Sequence, residues 1–162
     1  TMAAIIMIIQ TRIPSPIDDI IIQATEVGVS YVGFYPHVEY VHTPFEEVTN
    51  TAILCCAEQL NEYFNNTRTT FNVPLDTKGT AFQQSVWQAL LNVPYGKTNT
   101  YGDIATALSN PKAVRAVGAA NGKNPISIIV PCHRIIGANS KLTGYAGGLE
   151  RKSWLLKHEG II

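Results

Sequence analysis

Residues 131–136 read PCHRII, placing a cysteine directly before a histidine and an arginine at the end of the apolar run ISIIV. A small apolar cysteine at a strand end is often only a core residue. The chemical reading makes Cys132 a nucleophile whose surroundings turn it into a thiolate. A free thiol is mostly protonated near neutral pH, and a nearby imidazole, direct or through a water, lowers the cost of ionising it. Neighbours on an extended segment point to opposite sides. Cys132 and His133 therefore cooperate only if the backbone turns, and Pro131 supplies a cause for a turn. An imidazole acting as a base also needs a third group to orient it. This half of the chain carries three acids, Asp103, Glu150 and Glu159. Glu159, in the closing WLLKHEG, is the best of them by elimination; spacing alone leaves the other two open.

Other chemistries fare poorly. The three cysteines form no CxxC, and Cys55 and Cys56 are adjacent, which argues for free thiols in a reducing compartment and against a metal site. The loop GANSKLTGYAGGLERKSW has the glycines to hug a flat ligand, but no GxxxxGK[ST] supports a nucleoside triphosphate site. No apolar run approaches the ~20 residues that cross a bilayer. The opening TMAAIIMIIQTRI has neither a basic residue before it nor a small-residue cleavage site after it, so it reads as a strand. The expected location is cytoplasmic or nuclear, with no membrane partner.

The formal charge is zero, yet its distribution is lopsided. Residues 1–77 hold two basic and nine acidic side chains, and residues 78–162 hold ten basic and three acidic ones. That asymmetry predicts a basic module that meets a polyanion and an acidic one that does not.

The elements follow the same division. AAIIMIIQTRI and IDDIIIQATEVGVSYVGFYP are rich in β-branched and aromatic residues punctuated by Pro14, Pro16, Gly28 and Pro36, which predicts a small sheet of hairpin-linked strands. In TPFEEVTNTAILCCAEQLNEYFNN the period changes. Ile53, Leu54, Ala57, Leu60 and Phe64 make a helical stripe, with Thr43 or Thr49 as cap and Cys55 and Cys56 as packing residues. RTTFNVPLDTKGT lacks periodicity and reads as a linker, with a domain boundary near Asp76. Beyond it, AFQQSVWQALLNVP predicts a helix with Phe82, Val86, Ala89 and Leu90 inward. TYGDIATALS predicts a helix from Thr100, and NPKAVRAVGAAN a second one capped by Asn110 with Pro111 in its first turn. Two short helices and a tight turn make a helix-turn-helix candidate. The second helix is nearly all small residues around Arg115, a face suited to close approach to a sugar–phosphate backbone, with one arginine able to fill the space of an extruded base. ISIIV predicts a buried strand ending at Pro131, and a last helix begins near Leu149.

PCHR, the upstream NPKAVRAVGAANGKNP, the downstream GYAGGLERK and the closing WLLKHEG together resemble the O6-alkylguanine-DNA alkyltransferase family, over roughly residues 78–162. The resemblance implies an α/β two-domain protein. A small ribonuclease H-like sheet-plus-helix domain would span 1–76, and a mostly helical winged helix-turn-helix domain 77–162. It implies DNA repair by irreversible transfer of the alkyl group from O6-alkylguanine, and by extension O4-alkylthymine, to Cys132 in a single turnover. Cys132 would be the acceptor and His133 would take its proton through a water. Glu159 would hold His133, and Asn124 would position the reactive turn. Tyr101 would crowd the phosphate of the extruded base and donate a proton to its ring. Arg115 would replace the flipped nucleotide, with Ala116, Lys123 and Arg134 also at the DNA. Ile135, Tyr145 and Ala146 would read the base edges, and Lys152 would support the leaving group's charge. The implied partner is duplex DNA carrying O6-alkylguanine, met by a monomer without cofactor or metal.

Ala146 stands where many members of that family carry serine, which keeps a backbone N–H contact and loses a hydroxyl. The zinc-binding cysteines and histidine of some relatives are absent from the first half. Three other readings compete. Alkyltransferase-like proteins bind alkylated bases but lack the acceptor cysteine, which Cys132 supplies. In papain-type hydrolases the nucleophile sits at a helix N-terminus far from its histidine. A plain winged-helix regulator would have no use for PCHR.

Overall fold

The computed structural model describes residues 7–36, 41–139 and 141–162. The part of the expected first strand that falls on residues 1–6 lies outside them. The chain divides into two compact units, Thr1–Thr77 and Lys78–Ile162. The architecture is the expected α/β two-domain one: a sheet with a helix, then a mostly helical unit.

In the first unit, β1 (Ile9–Ile13), β2 (Ile20–Ala24) and β3 (Val29–Phe34) form an antiparallel sheet in that order. β2 is central and buried along its whole length, which explains its unbroken isoleucine run. Gln10 lies opposite Gln23 in the register, and Gln23 Nε2 donates to Gln10 Oε1 at 2.7 Å. A satisfied buried polar pair penalises any slip of register.

The helix α1 (Thr51–Phe64) packs on β2 and β3. Its cap is Asn50, whose side chain accepts from Ile53 N at 3.0 Å, and not Thr43 or Thr49. Thr43 is committed elsewhere, its N–H to Gln10 and its carbonyl to the Thr11 hydroxyl. The inward stripe is Ile53, Cys56, Ala57, Leu60 and Phe64, with Tyr63 beside it; Leu54 stays 38% exposed. Positions 53, 56, 57, 60 and 64 follow the helical period, and Leu54 falls outside that arc.

Residues 71–76 are no linker. Val29 N donates to Pro74 O and Asp76 N to Val29 O, both at 2.8 Å, so the segment runs along the edge of β3. The approach is close enough that a Cβ on Gly28 would lie 2.7 Å from the Pro74 carbonyl atoms, which only glycine permits. An edge held by backbone bonds leaves no side-chain period to read.

In the second unit, α2 (Ala81–Leu90) opens on a capping box between Thr80 and Gln83 and buries Val86, Trp87 and Leu90. Trp87 Nε1 donates to the carbonyl of Ala120 at 2.9 Å, pinning α2 to α4 (Val114–Gly122). The strand β4 (Asn99–Thr100) leads into α3 (Tyr101–Ala107), capped by Thr100 in a second box with Asp103. α4 starts later than Pro111. Ser109 adopts φ 57° and Ala113 N bonds to Asn110 O, so Asn110 and Pro111 belong to the turn between the helices. α4 therefore has no side-chain cap. The parallel pair of β4 with β5 (Ile135–Ile136) completes the unit with α5 (Leu149–His158).

The two leucines of α1 test this packing. Leu60→Ala is expected to lower the stability of the 1–77 unit by about 2–5 kcal/mol, and Leu54→Ser to change it by no more than about 0.5 kcal/mol, in urea titrations followed by circular dichroism.

Candidate active site

The run expected to be a strand before Pro131 forms a buried turn. Asn124 organises it: its Nδ2 donates to Ile126 O at 3.2 Å and Val130 O at 2.8 Å, while its Oδ1 accepts from Ile126 N at 3.0 Å. Val130 N returns to Ile126 O, and Cys132 N to Val130 O at 2.8 Å. One amide side chain thus does the work of a neighbouring strand. The turn forces Ile128 to φ 72°, unusual for a β-branched residue and worth about 1–3 kcal/mol of strain. Burial of Ile126, Ile128 and Ile129 offsets it.

Cys132–Arg134 then form one 3-10 turn. With about three residues per turn, neighbouring side chains no longer point to opposite sides. His133 Nε2 lies 2.6 Å from Glu159 Oε2, both side chains fully buried. Glu159 also accepts from Arg134, Nε to Oε1 at 2.8 Å and Nη2 to Oε2 at 3.2 Å, and from the Gly96 amide at 3.2 Å. Burial alone would raise the Glu159 pKa; bonds and charge from His133 and Arg134 outweigh it and hold the carboxyl down at about 2. An ionised carboxylate only accepts, so His133 Nε2 carries a proton. In the neutral ring the lone pair is then on Nδ1, which is buried and bonded to no protein group. Burial lowers the His133 pKa, Glu159 opposes, and Arg134 and Lys152 add to the lowering.

Cys132 lies under the surface of the site. It is 3% exposed, and burial pushes its thiol up to about 11, against opposing pulls from Asn124 and the Lys152 ammonium. Desolvation of the charged form wins. Burial thus favours the neutral form of both the thiol and the imidazole.

Lys152 is fully buried, with Nζ donating to Ile135 O at 2.5 Å and Thr143 O at 2.6 Å, so it ties β5 to the glycine-rich loop. Burial brings its pKa down to about 8. The Tyr101 hydroxyl is 2.9 Å from Thr143 Oγ1 on the same loop. The Tyr145 phenol oxygen is buried, and burial together with the Cys132 sulfur raises its pKa well above the ordinary value against opposing pulls from Ser127 and Arg151. Ile135 is buried and Ala146 exposed.

Arg115, Ala116 and Lys123 are exposed on α4, whereas Val117, Ala120 and Asn121 face inward. Arg134 is not with them. Its side chain is 6% exposed, paired with Glu159 and donating Nη1 to Val93 O at 2.8 Å, so the expectation that it meets DNA is corrected. Sequence reasoning missed this internal role, and Thr143 and Gly96 with it. The one available signal was an arginine inside the same four-residue motif as the nucleophile. Among the described residues, no group of three His, Cys, Asp or Glu side chains could hold a metal ion, and no helix is long and apolar enough to cross a membrane.

Comparison with known proteins adds the following. Residues 81–161 match the family model described as 6-O-methylguanine DNA methyltransferase, DNA binding domain, and residues 8–77 that of its ribonuclease-like domain. A methylated-DNA–protein-cysteine methyltransferase of Methanosarcina acetivorans is 51% identical over 147 residues, 90% of this chain and 94% of that protein. Its counterpart in Mycobacterium tuberculosis H37Rv is 61% identical over 102 residues, 63% of this chain and 62% of that protein. The crystal structure of the Mycobacterium tuberculosis O6-methylguanine methyltransferase superposes with a TM-score of 0.84 at 44% identity, covering 94% and 93% of the two chains. A crystal structure of that organism's protein in complex with DNA gives 0.83 at 46% identity, covering 93% and 91%.

Glu159→Gln is expected to destabilise the protein by about 3–5 kcal/mol, because it strands a buried arginine. The carboxyl's pKa is depressed on folding, so its stabilisation is complete above the ordinary value of 4.5 and is lost as pH falls towards about 2. Urea titrations across that window should show the loss in the native protein and its absence in Glu159→Gln.

Proposed function

The chain belongs to the 6-O-methylguanine DNA methyltransferase family, and from that premise we propose that it repairs DNA by moving the alkyl group of O6-alkylguanine onto Cys132, once per molecule. It is a DNA-binding methyltransferase whose acceptor is a protein cysteine. The observation that carries the residue assignment is the Glu159–His133 pair, which leaves the lone pair of the imidazole on a buried Nδ1 in the residue that follows the buried Cys132.

The reaction proceeds as follows. The Cys132 S–H proton passes to His133 Nδ1, directly or through a water, as the sulfur attacks the O-alkyl carbon in line. The carbon–O6 bond breaks and an S–C bond forms. A proton supplied by the Tyr101 phenol to the purine ring lets guanine leave as a neutral base, and the proton held by His133 restores the balance. Lys152 places positive charge near the developing charge on O6, and Asn124 keeps the turn in register. The product is a thioether, which no group in the site can hydrolyse, so the protein is consumed.

The alkyl carbon lies within the duplex, and the sulfur is almost fully covered, so the base must leave the stack to be reached. Arg115, exposed among the small residues of α4, is the side chain that fills the gap, with Ala116 letting the helix approach the backbone and Lys123 meeting phosphate. The segments bearing Ile135, Tyr145 and Ala146 receive the base.

Incubation with a duplex carrying O6-methylguanine, followed by peptide mass spectrometry, should give one methyl group on Cys132 and saturation at one per protein. Turnover, or no adduct, contradicts the proposal. Arg115→Ala should slow repair of the duplex by more than it slows reaction with free O6-benzylguanine; equal slowing would argue against the finger role.

A further inference from the structure

We propose that Arg134 is a positioning residue of the transfer reaction: by clamping both oxygens of Glu159 it holds His133 as a neutral base with its proton on Nε2 and its lone pair on Nδ1. This deepens the repair reading above and rests on it.

The carboxylate sits where an anion is costly. Glu159 caps the C-terminal end of α5, where the helix dipole disfavours an anion. It is fully buried, so its charge needs a counter-charge. Two groups can supply one. If His133 did so, it would become an imidazolium, with both nitrogens protonated and no lone pair for the Cys132 proton. Arg134 prevents this. Its guanidinium cannot lose its proton, and its flat fork matches both carboxylate oxygens.

The fork is itself fixed. Nη1 is anchored on the carbonyl of Val93, and the Tyr95 ring lies 5.8 Å from the guanidinium carbon. The Gly96 amide, next in the chain, adds its bond to the same carboxylate. The groups acting on the imidazole are Glu159 at the end of α5, Arg134 on its own turn and Lys152 from within α5, with Tyr95 acting on Glu159 from the loop after α2. Arg134 and Lys152 favour the neutral ring, and Glu159 alone of the charges on it favours the cation.

The test is the pH dependence of methyl transfer from an O6-methylguanine duplex. In Arg134→Gln the carboxylate loses its fixed counter-charge, so the ascending limb should move to higher pH by about one to three units. Arg134→Lys retains the charge without the fork; it should keep the native limb with a lower plateau. A limb that stays put in Arg134→Gln, with equal slowing at every pH, would reduce Arg134 to a packing role. A limb that moves alike in both variants would overturn the charge argument. Nitrogen-15 NMR of the His133 ring in the unmodified protein decides the matter should the variants not fold. At neutral pH it should report Nε2–H and a bare Nδ1; an imidazolium or an Nδ1–H ring contradicts the proposal. Failure of the native protein to transfer methyl would count against the repair reading, while the NMR result would still judge the hold of Arg134 on Glu159.

Discussion

One buried carboxylate organises the second unit. Glu159 receives the His133 imidazole on one oxygen and the Arg134 guanidinium on both, and Gly96 donates to it from the loop after α2. Remove its charge and a buried arginine is stranded, the imidazole loses its orientation, and the turn bearing the sulfur has no anchor in α5. Because an ionised carboxylate cannot donate, it also dictates which nitrogen of His133 is basic. The end of the last helix therefore sets the chemistry of a turn formed 25 residues earlier.

The sulfur is kept differently from that of many reactive cysteines, whose surroundings depress the thiol pKa. Here burial raises it, and the balance of Asn124 and Lys152 against desolvation still leaves a protonated thiol. In the proposed reaction the nucleophile is generated only as the proton leaves for the imidazole. A stored thiol is less open to stray oxidation or alkylation than an exposed thiolate, which suits the single-turnover reaction proposed for it. Lys152 contributes twice, through its charge near the sulfur and through two bonds that fasten Ile135 to Thr143 and so shape the loop holding Tyr145.

Short-range features were legible in the sequence. The start of α3 near Thr100, the start of α5 and the strand-rich first half follow from local pattern, and the resemblance carried by the four ordered motifs groups Cys132, His133 and Glu159. Misreadings arose where long-range partners override local preference. ISIIV has the composition of a strand, but Asn124 satisfies its backbone from one side chain and folds it into a turn. Residues 71–76 look like a linker because their order comes from backbone bonds to Val29. The resemblance sets Arg134 among the DNA-facing residues; its carboxylate partner is far away in sequence, so its burial leaves no local mark. The pull of burial on the thiol is hidden for a related reason: an adjacent histidine is visible in sequence, whereas desolvation is a property of the packed core.

The S–H stretching band of Cys132, isolated by subtracting the Raman spectrum of Cys132→Ser from that of the native protein, tests most directly whether the nucleophile is stored as a thiol. The band should be present at neutral pH and fade only as pH approaches about 11. Its absence at neutral pH would mean a resting thiolate, and with it a site that has no need of the His133 base.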